Sequence, residues 1–341
     1  MVKKILLGFI AFLLLTGFYS CKPGGEKNSK DTLSKDDTVV SDIDALNLLI
    51  ASDSANPENL YKRSRYYLDN KDINKALSDI GKAIELNDRD ADYFVTLADL
   101  YLAMGQIPNC LDALKKAEEL DPKNNNALLK LAEVYLILRD YQSTFNYTAK
   151  ALDIEQFNPV AFFIRGYAYM EQGDTALAIR SFQAAADQNQ NYYDAYIELG
   201  LLYTSLKNPL ASGYLETAVR IDPNREEGYY FLGMVYQEQE IITKAIETYE
   251  KLLLISPGHK EAHYNLGYIN LVYVQDFENA IRYFDQAILL DPKYTDAYFN
   301  RGYSYELAGD FQNARKDYLK SLEVTPNYER AILGLNRLDT N

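Results

Sequence analysis

The sequence predicts an all-α solenoid of about eight helix-turn-helix repeats, and three observations predict it. A period of 34 residues, slipping by one residue twice, runs through residues 57–326, with units beginning at Pro57, Ala91, Asn125, Pro159, Tyr193, Glu226, Lys260 and Thr295. The eleventh place of successive units holds Tyr67, Tyr101, Tyr135, Tyr169, Tyr203, Tyr236, Asn270 and Tyr305, in a chain of 30 Tyr and no Trp. Within each unit the first apolar stripe falls at i, i+3, i+4 and i+7, as Tyr229, Leu232, Gly233 and Tyr236 do in the sixth. A unit this short cannot bury its apolar face alone, so the period implies stacking.

Taken in order, residues 1–20 read as a cleaved export signal: Lys3 and Lys4 precede an apolar run from Ile5 to Leu15. The run is shorter than the roughly 20 residues a spanning helix needs, and Gly8, Thr16 and Gly17 interrupt it. Phe18, Tyr19 and Ser20 before Cys21 resemble a bacterial lipobox, which implies lipidation of Cys21; the alternative is ordinary cleavage with Cys21 a bystander. Removing Lys3 and Lys4 takes the net charge from −14 to −16. So acidic a chain lacks the Lys and Arg that neutralise phosphates, which argues against nucleic acid and against anionic lipid headgroups. Residues 21–38, mostly KPGGEKNSKDTLSKDDT, have nothing to place in a core and form a flexible tether. Its end-to-end distance is roughly 20–25 Å. Residues 39–56 hold an N-terminal capping helix over Ser41 to Ala51, and residues 327–341 a C-terminal one over Glu329 to Leu338. Such caps cover faces that end repeats would expose.

Between them, the eighth place of each unit is small: Ser64, Ala98, Ala132, Gly166, Gly200, Gly233, Gly267 and Gly302. A mid-helix Gly costs about 1 kcal/mol relative to Ala, so this column requires a neighbouring helix to approach the backbone closely. The second helix carries Ala76, Ala178, Ala211, Ala245, Ala280 and Ala314, then Ala83, Ala117, Ala151, Ala185, Ala218 and Ala287, with a larger residue such as Phe182 or Tyr249 between. Gly105, Gly173 and Gly309 suit left-handed helix ends, Asp174 and Asp310 suit the caps that follow, and Pro122, Pro223, Pro257, Pro292 and Pro326 end second helices. The seventh unit gains one residue around Leu271, Val272, Tyr273 and Val274. We read this as an extra helical turn buried by its neighbours rather than an exposed apolar loop.

These residues resemble the tetratricopeptide (TPR) repeat across 57–326, with Tyr196, Tyr229, His263 and Tyr298 where that family favours Trp. The resemblance implies a right-handed superhelix whose concave face, built from first helices, holds protein partners. Its fifth and ninth places point to Phe163, Tyr167, Tyr230, Met234, Tyr264, Tyr268, Phe299 and Tyr303 as a contact set, because aromatic side chains offer much area at low entropic cost. The fifth-place rings equally suit padding between neighbouring first helices. Arg65, Asp99 and Glu133 fill the ninth place toward the N-terminus, too few cations for a clamp on a partner's terminal carboxylate. The expected partner is a protein or peptide with apolar anchors.

No chemistry is expected. His259 and His263 have metal-ligand spacing, but Pro257 and Gly258 put His259 at the helix start and His263 at a core place, so no metal is expected and no cofactor. Cys110 sits in the small-residue column and reads as core. The chain is thus expected to be a non-enzymatic scaffold in a bacterial envelope, lipid-anchored to the outer membrane, which Lys22 after the Cys resembles a signal for, and facing the periplasm or the outside. The alternative is a glycan- or peptidoglycan-binding protein, or an enzyme, stacking sugars on the same rings.

Overall fold

The structure is a computed structural model and describes residues 42–340. The export segment, Cys21, the tether and residues 39–41 lie outside the described residues. Those residues form 18 α-helices and one π-helical turn, with no strand among them. The chain divides into two compact units, one ending at Gln188 and one beginning at Asn189. Unit 1 opens with α1 (Asp42–Ser52) and holds four helix pairs. These are α2 (Pro57–Asp69) with α3 (Ile73–Leu86), α4 (Ala91–Ala103) with α5 (Ile107–Leu120), α6 (Asn125–Ile137) with α7 (Tyr141–Ile154), and α8 (Pro159–Glu171) with α9 (Thr175–Gln188). Unit 2 holds α10 (Tyr193–Ser205) with α11 (Leu210–Ile221), α12 (Glu226–Glu238) with α13 (Ile242–Ile255), α14 (Lys260–Ile269) with α15 (Phe277–Leu290), and α16 (Thr295–Leu307) with α17 (Phe311–Val324). It closes with α18 (Glu329–Thr340). Each unit is an all-α solenoid of helix-turn-helix repeats.

The turn inside every pair has one design. Its left-handed residue is Lys71, Gly105, Arg139, Gly173, Lys207, Glu240, Gln275 or Gly309, with φ between 52° and 83°. The next residue's N–H then reaches back to the carbonyl of the eleventh-place residue, as Asp72 does to Tyr67 at 2.8 Å and Asp174 to Tyr169 at 2.9 Å. That bond supplies a partner to a helix-end carbonyl that would otherwise have none. Where that residue is Asp it also caps the following helix: Asp174 accepts from the Leu177 N–H at 3.0 Å and Asp310 from the Asn313 N–H at 3.1 Å. Second helices of five pairs stop two residues before Pro122, Pro223, Pro257, Pro292 and Pro326, since proline bars the helical conformation to its predecessor. Five of the eight left-handed sites bear side chains that disfavour that conformation. Lys207→Gly, at φ 52°, is therefore expected to raise stability by about 0.5–1 kcal/mol, measured by urea unfolding; a loss would refute the turn argument.

The glycine column is explained by rings reaching across each pair. A Cβ on Gly166 would stand 2.5 Å from the Phe182 ring, on Gly233 2.5 Å from Tyr249, and on Gly267 2.7 Å from Phe284. On Gly200 it would stand 2.5 Å from Leu215. Phe182, Leu215, Tyr249 and Phe284 are fully buried, so the propensity lost at each glycine is offset by close packing of a large side chain. Where the column holds Ala98, the facing residue is only Leu114, and both lie in one buried cluster. At Ser64 the buried hydroxyl donates to the Ala76 carbonyl at 2.8 Å.

The seventh pair corrects one expectation. Asn270–Val274 do form an extra helical turn, but a π-helical one ending at Gln275 with φ 61°. Only Leu271 of the apolar run is buried, while Val272, Tyr273 and Val274 are exposed. Asn270, standing where the other units have Tyr, donates its side-chain N–H to the Leu266 carbonyl at 2.8 Å, within the ladder that the inserted residue disturbs.

Candidate partner-binding face

The fifth place sits where one first helix meets the lead-in to the next. Tyr61 stacks near Tyr93 (5.0 Å between ring centres), Tyr230 near His259 (5.0 Å), Tyr264 on Tyr294 (4.9 Å) and Phe299 near Tyr328 (5.8 Å). Phe163 is fully buried, Tyr167 is 8% exposed and Phe299 6%. Phe163 and Tyr167 each stand 5.4 Å from Phe182, the ring seated over Gly166. These three of the eight sequence-derived contact residues belong to the core, because the ring that fills the glycine slot must itself be surrounded. Of the other five, all in unit 2, Met234 is exposed and Tyr230, Tyr264, Tyr268 and Tyr303 are half-buried. Tyr264 is fixed by more than packing, its hydroxyl accepting from Asn300 Nδ2 at 2.9 Å. Burial holds its proton well above the ordinary tyrosine range. Tyr268 lies 6.5 Å edge-on from Tyr273 of the π-turn, which extends this face with an exposed ring.

Sequence reasoning missed a contribution from α18. Glu329 follows Thr295 by one full period, so this helix presents repeat places of its own besides closing the stack. Arg330, at the second place, lies 4.3 Å over the Phe299 ring, and Arg337, at the ninth, 5.4 Å over Tyr303. Arg337 also bonds both oxygens of Glu306, at 2.8 and 2.9 Å. The signal was the continuing period.

In the first three pairs of unit 1 the ninth place is charged. Asp99 pairs with Lys130 at 2.6 Å. Burial outweighs the attraction of Lys130 for the nearby Glu133 and pushes its carboxyl up to about 7. Burial likewise pushes the Cys110 thiol up to about 12, leaving it the unreactive core residue its column suggests. His259 caps α14, its Nδ1 accepting from the Ala262 N–H at 3.2 Å, while His263 Nε2 donates to the Pro257 carbonyl at 3.0 Å. The two rings thus face different partners, and no three His, Cys, Asp or Glu side chains among the described residues group as metal ligands. A cavity of about 400 Å³ beside His263, lined by Asn279, Arg282, Tyr283, Asp285 and Gln286, contains none of the contact set. Among the described residues no helix is long and apolar enough to cross a membrane.

Comparison with known proteins agrees with the repeat fold. Models of the tetratricopeptide repeat match residues 95–144, 165–226 and 269–330, and a second form matches 57–90 and 226–259. Anaphase-promoting complex subunit 3 of Schizosaccharomyces pombe is 21% identical over 133 residues, 39% of this chain; the chain spans about 20% of that relative's length. The C-terminal part of a TPR repeat-containing protein from Cytophaga hutchinsonii has a TM-score of 0.60 at 22% identity, covering 70% of this chain and 98% of that one. MamA has a TM-score of 0.45 at 26% identity, covering 47% of this chain and 93% of that one. The Cytophaga structure speaks to the fold alone.

Proposed function

We propose, from the premise that this chain belongs to the tetratricopeptide repeat family, that it is a lipid-anchored adaptor of the bacterial cell envelope, gripping partners on the aromatic face of unit 2. That the protein is an interaction scaffold follows from its family and fold. The finer reading rests on one observation: Tyr230, Met234, Tyr268 and Tyr303 keep exposed surface on first helices, although burying such side chains is worth about 1.5–3 kcal/mol each. A face left open at that cost suits a partner with apolar anchors, either an extended segment or a helix. Cys21 would carry the lipid and residues 22–38 the tether, with Lys22 favouring the outer membrane.

The test is affinity capture from intact envelopes. Replacing Tyr230, Tyr268 and Tyr303 together by Ser is expected to lower recovery of specific partners at least about tenfold, since loss of two or three anchors exceeds 1.4 kcal/mol. Undiminished capture would refute the groove. Cys21→Ala is expected to move the protein from the membrane to the soluble fraction and to abolish incorporation of labelled palmitate; membrane retention without label would refute the anchor.

A further inference from the structure

Every first helix of unit 2 has a carboxylate at its second place: Asp194, Glu227, Glu261 and Asp296. Three of the four are met by an arginine, either from the residue just ahead of α12 or from the first turn of α18. Arg225, just ahead of α12, bonds Asp194 at 3.0 Å and Glu227 at 2.9 Å while lying 3.8 Å over the Tyr193 ring. Arg330, in the first turn of α18, stands 3.6 Å from Asp296 and 4.3 Å over the Phe299 ring. Each arginine therefore combines a carboxylate with an aromatic face, the two surfaces a planar guanidinium uses at once.

Glu261 has the acid and the rings without the arginine. Lys260 Nζ is 3.9 Å away and is already held by Asp291 at 2.6 Å. His259 Nδ1 is 3.5 Å away, but its lone pair accepts the Ala262 N–H, so it directs no proton at the carboxylate. The Glu261 side chain is 41% exposed. Tyr230, on the preceding first helix, and Tyr294, stacked on Tyr264, both feel its charge: burial first, then Glu261 for Tyr230 and Tyr264 followed by Glu261 for Tyr294, raise their hydroxyls above the usual tyrosine range.

We propose that a cationic side chain of the bound partner, arginine above lysine, fills this place, lodging against the Glu261 carboxylate and the Tyr230 ring. The inference rests on the scaffold reading and adds the partner's chemistry. A segment that presses an apolar residue against Met234 and Tyr268 would carry a basic residue close by in its sequence, and an acidic residue there would be excluded.

Selection of short random peptides displayed on phage against the full chain tests this. The probes are the peptides themselves, and the same library is panned against Glu261→Gln and against Glu323→Gln, an exposed outer-face glutamate paired with Lys320 that controls for net charge. Expected is enrichment of arginine beside apolar residues on the unsubstituted chain and on Glu323→Gln. On Glu261→Gln the arginine preference should vanish while the apolar preference stays. The best arginine peptide, synthesised free, should bind Glu261→Gln and Tyr230→Leu about tenfold more weakly. Arginine enrichment that survives Glu261→Gln, or apolar enrichment without arginine on the unsubstituted chain, overturns the proposal while leaving the scaffold reading intact. No enrichment of any kind overturns both.

Discussion

Replacing Tyr318 by Ala is expected to destabilise unit 2 by about 3–5 kcal/mol, the usual cost of emptying a buried aromatic site. The ring is fully buried between two glycines on different helices. A Cβ on Gly302 of α16 would stand 3.0 Å from it, and one on Gly334 of α18 would stand 2.6 Å from its other edge. Neither of the two glycines has a side chain that could fill the space. The hydroxyl donates to Glu306, the same carboxylate that Arg337 grips from α18, so Ala also removes a link to the closing helix. Tyr318→Phe keeps the ring and is expected to lose about 2 kcal/mol, since the hydroxyl donates to a carboxylate and accepts from Arg337. Gly334→Ala attacks the same slot from the other side: overpacking costs about 1–3 kcal/mol, of which the better helix propensity of Ala returns about 1 kcal/mol. Urea unfolding followed by circular dichroism, with hydrogen exchange read on α18, separates the three. A Tyr318→Ala variant as stable as Tyr318→Phe would refute the slot.

Glu133→Gln is expected to make unit 1 more stable at pH 8 by about 2 kcal/mol and to change nothing near pH 4. The sign follows from linkage. Burial raises the folded carboxyl from 4.5 to about 7, so the folded state holds the proton across that window while the unfolded chain has released it. The contribution of this group is therefore most favourable below pH 4.5, falls as pH rises toward 7 and is flat above. Each tenfold difference in proton affinity is about 1.4 kcal/mol, and residual solvent contact of the side chain reduces the total to about 2 kcal/mol. Glutamine keeps the shape and never ionises. Lys130 retains Asp99 at 2.6 Å, so the substitution does not strand a cation. Urea midpoints of both proteins at several pH values give the result directly; parallel curves would show that Glu133 is ionised in the folded protein throughout.

The period made the fold legible because the forces it encodes are local. A capping Asp, a left-handed glycine and a terminating proline act within one turn of chain, and Gly173, Asp174 and Pro257 do what their types suggest. The face was less legible. Whether a fifth-place ring is open or buried depends on the residue that leads into the next first helix, and His259, Tyr294 and Tyr328 occupy that lead-in with no fixed type. The burial of Phe163 has another cause, a phenylalanine in its own second helix. The inserted residue of the seventh unit was countable, but its accommodation as a π-turn with three exposed apolar side chains depends on how Asn270 satisfies a displaced carbonyl. α18 continues the period from Glu329 but has no second helix after it, so its sequence marks a lid more plainly than a contributor of Arg330 and Arg337 to the neighbouring rings.

The large side chain that fills each glycine slot comes from the same repeat, 15 to 17 residues further along. The eighth-place slot is therefore filled inside a cassette, while junctions between cassettes add buried apolar clusters, such as Leu114 with Leu131 and Val134, to carboxylate bonds such as those of Arg225. An in-frame excision of residues 226–259 removes Gly233 together with Tyr249 and orphans neither. It also splices Arg225 directly ahead of Lys260, two positions before Glu261, the spacing at which Arg225 now reaches Glu227. Gain or loss of whole cassettes would thus change the length and charge of the solenoid while keeping every eighth-place glycine with the side chain that fills it.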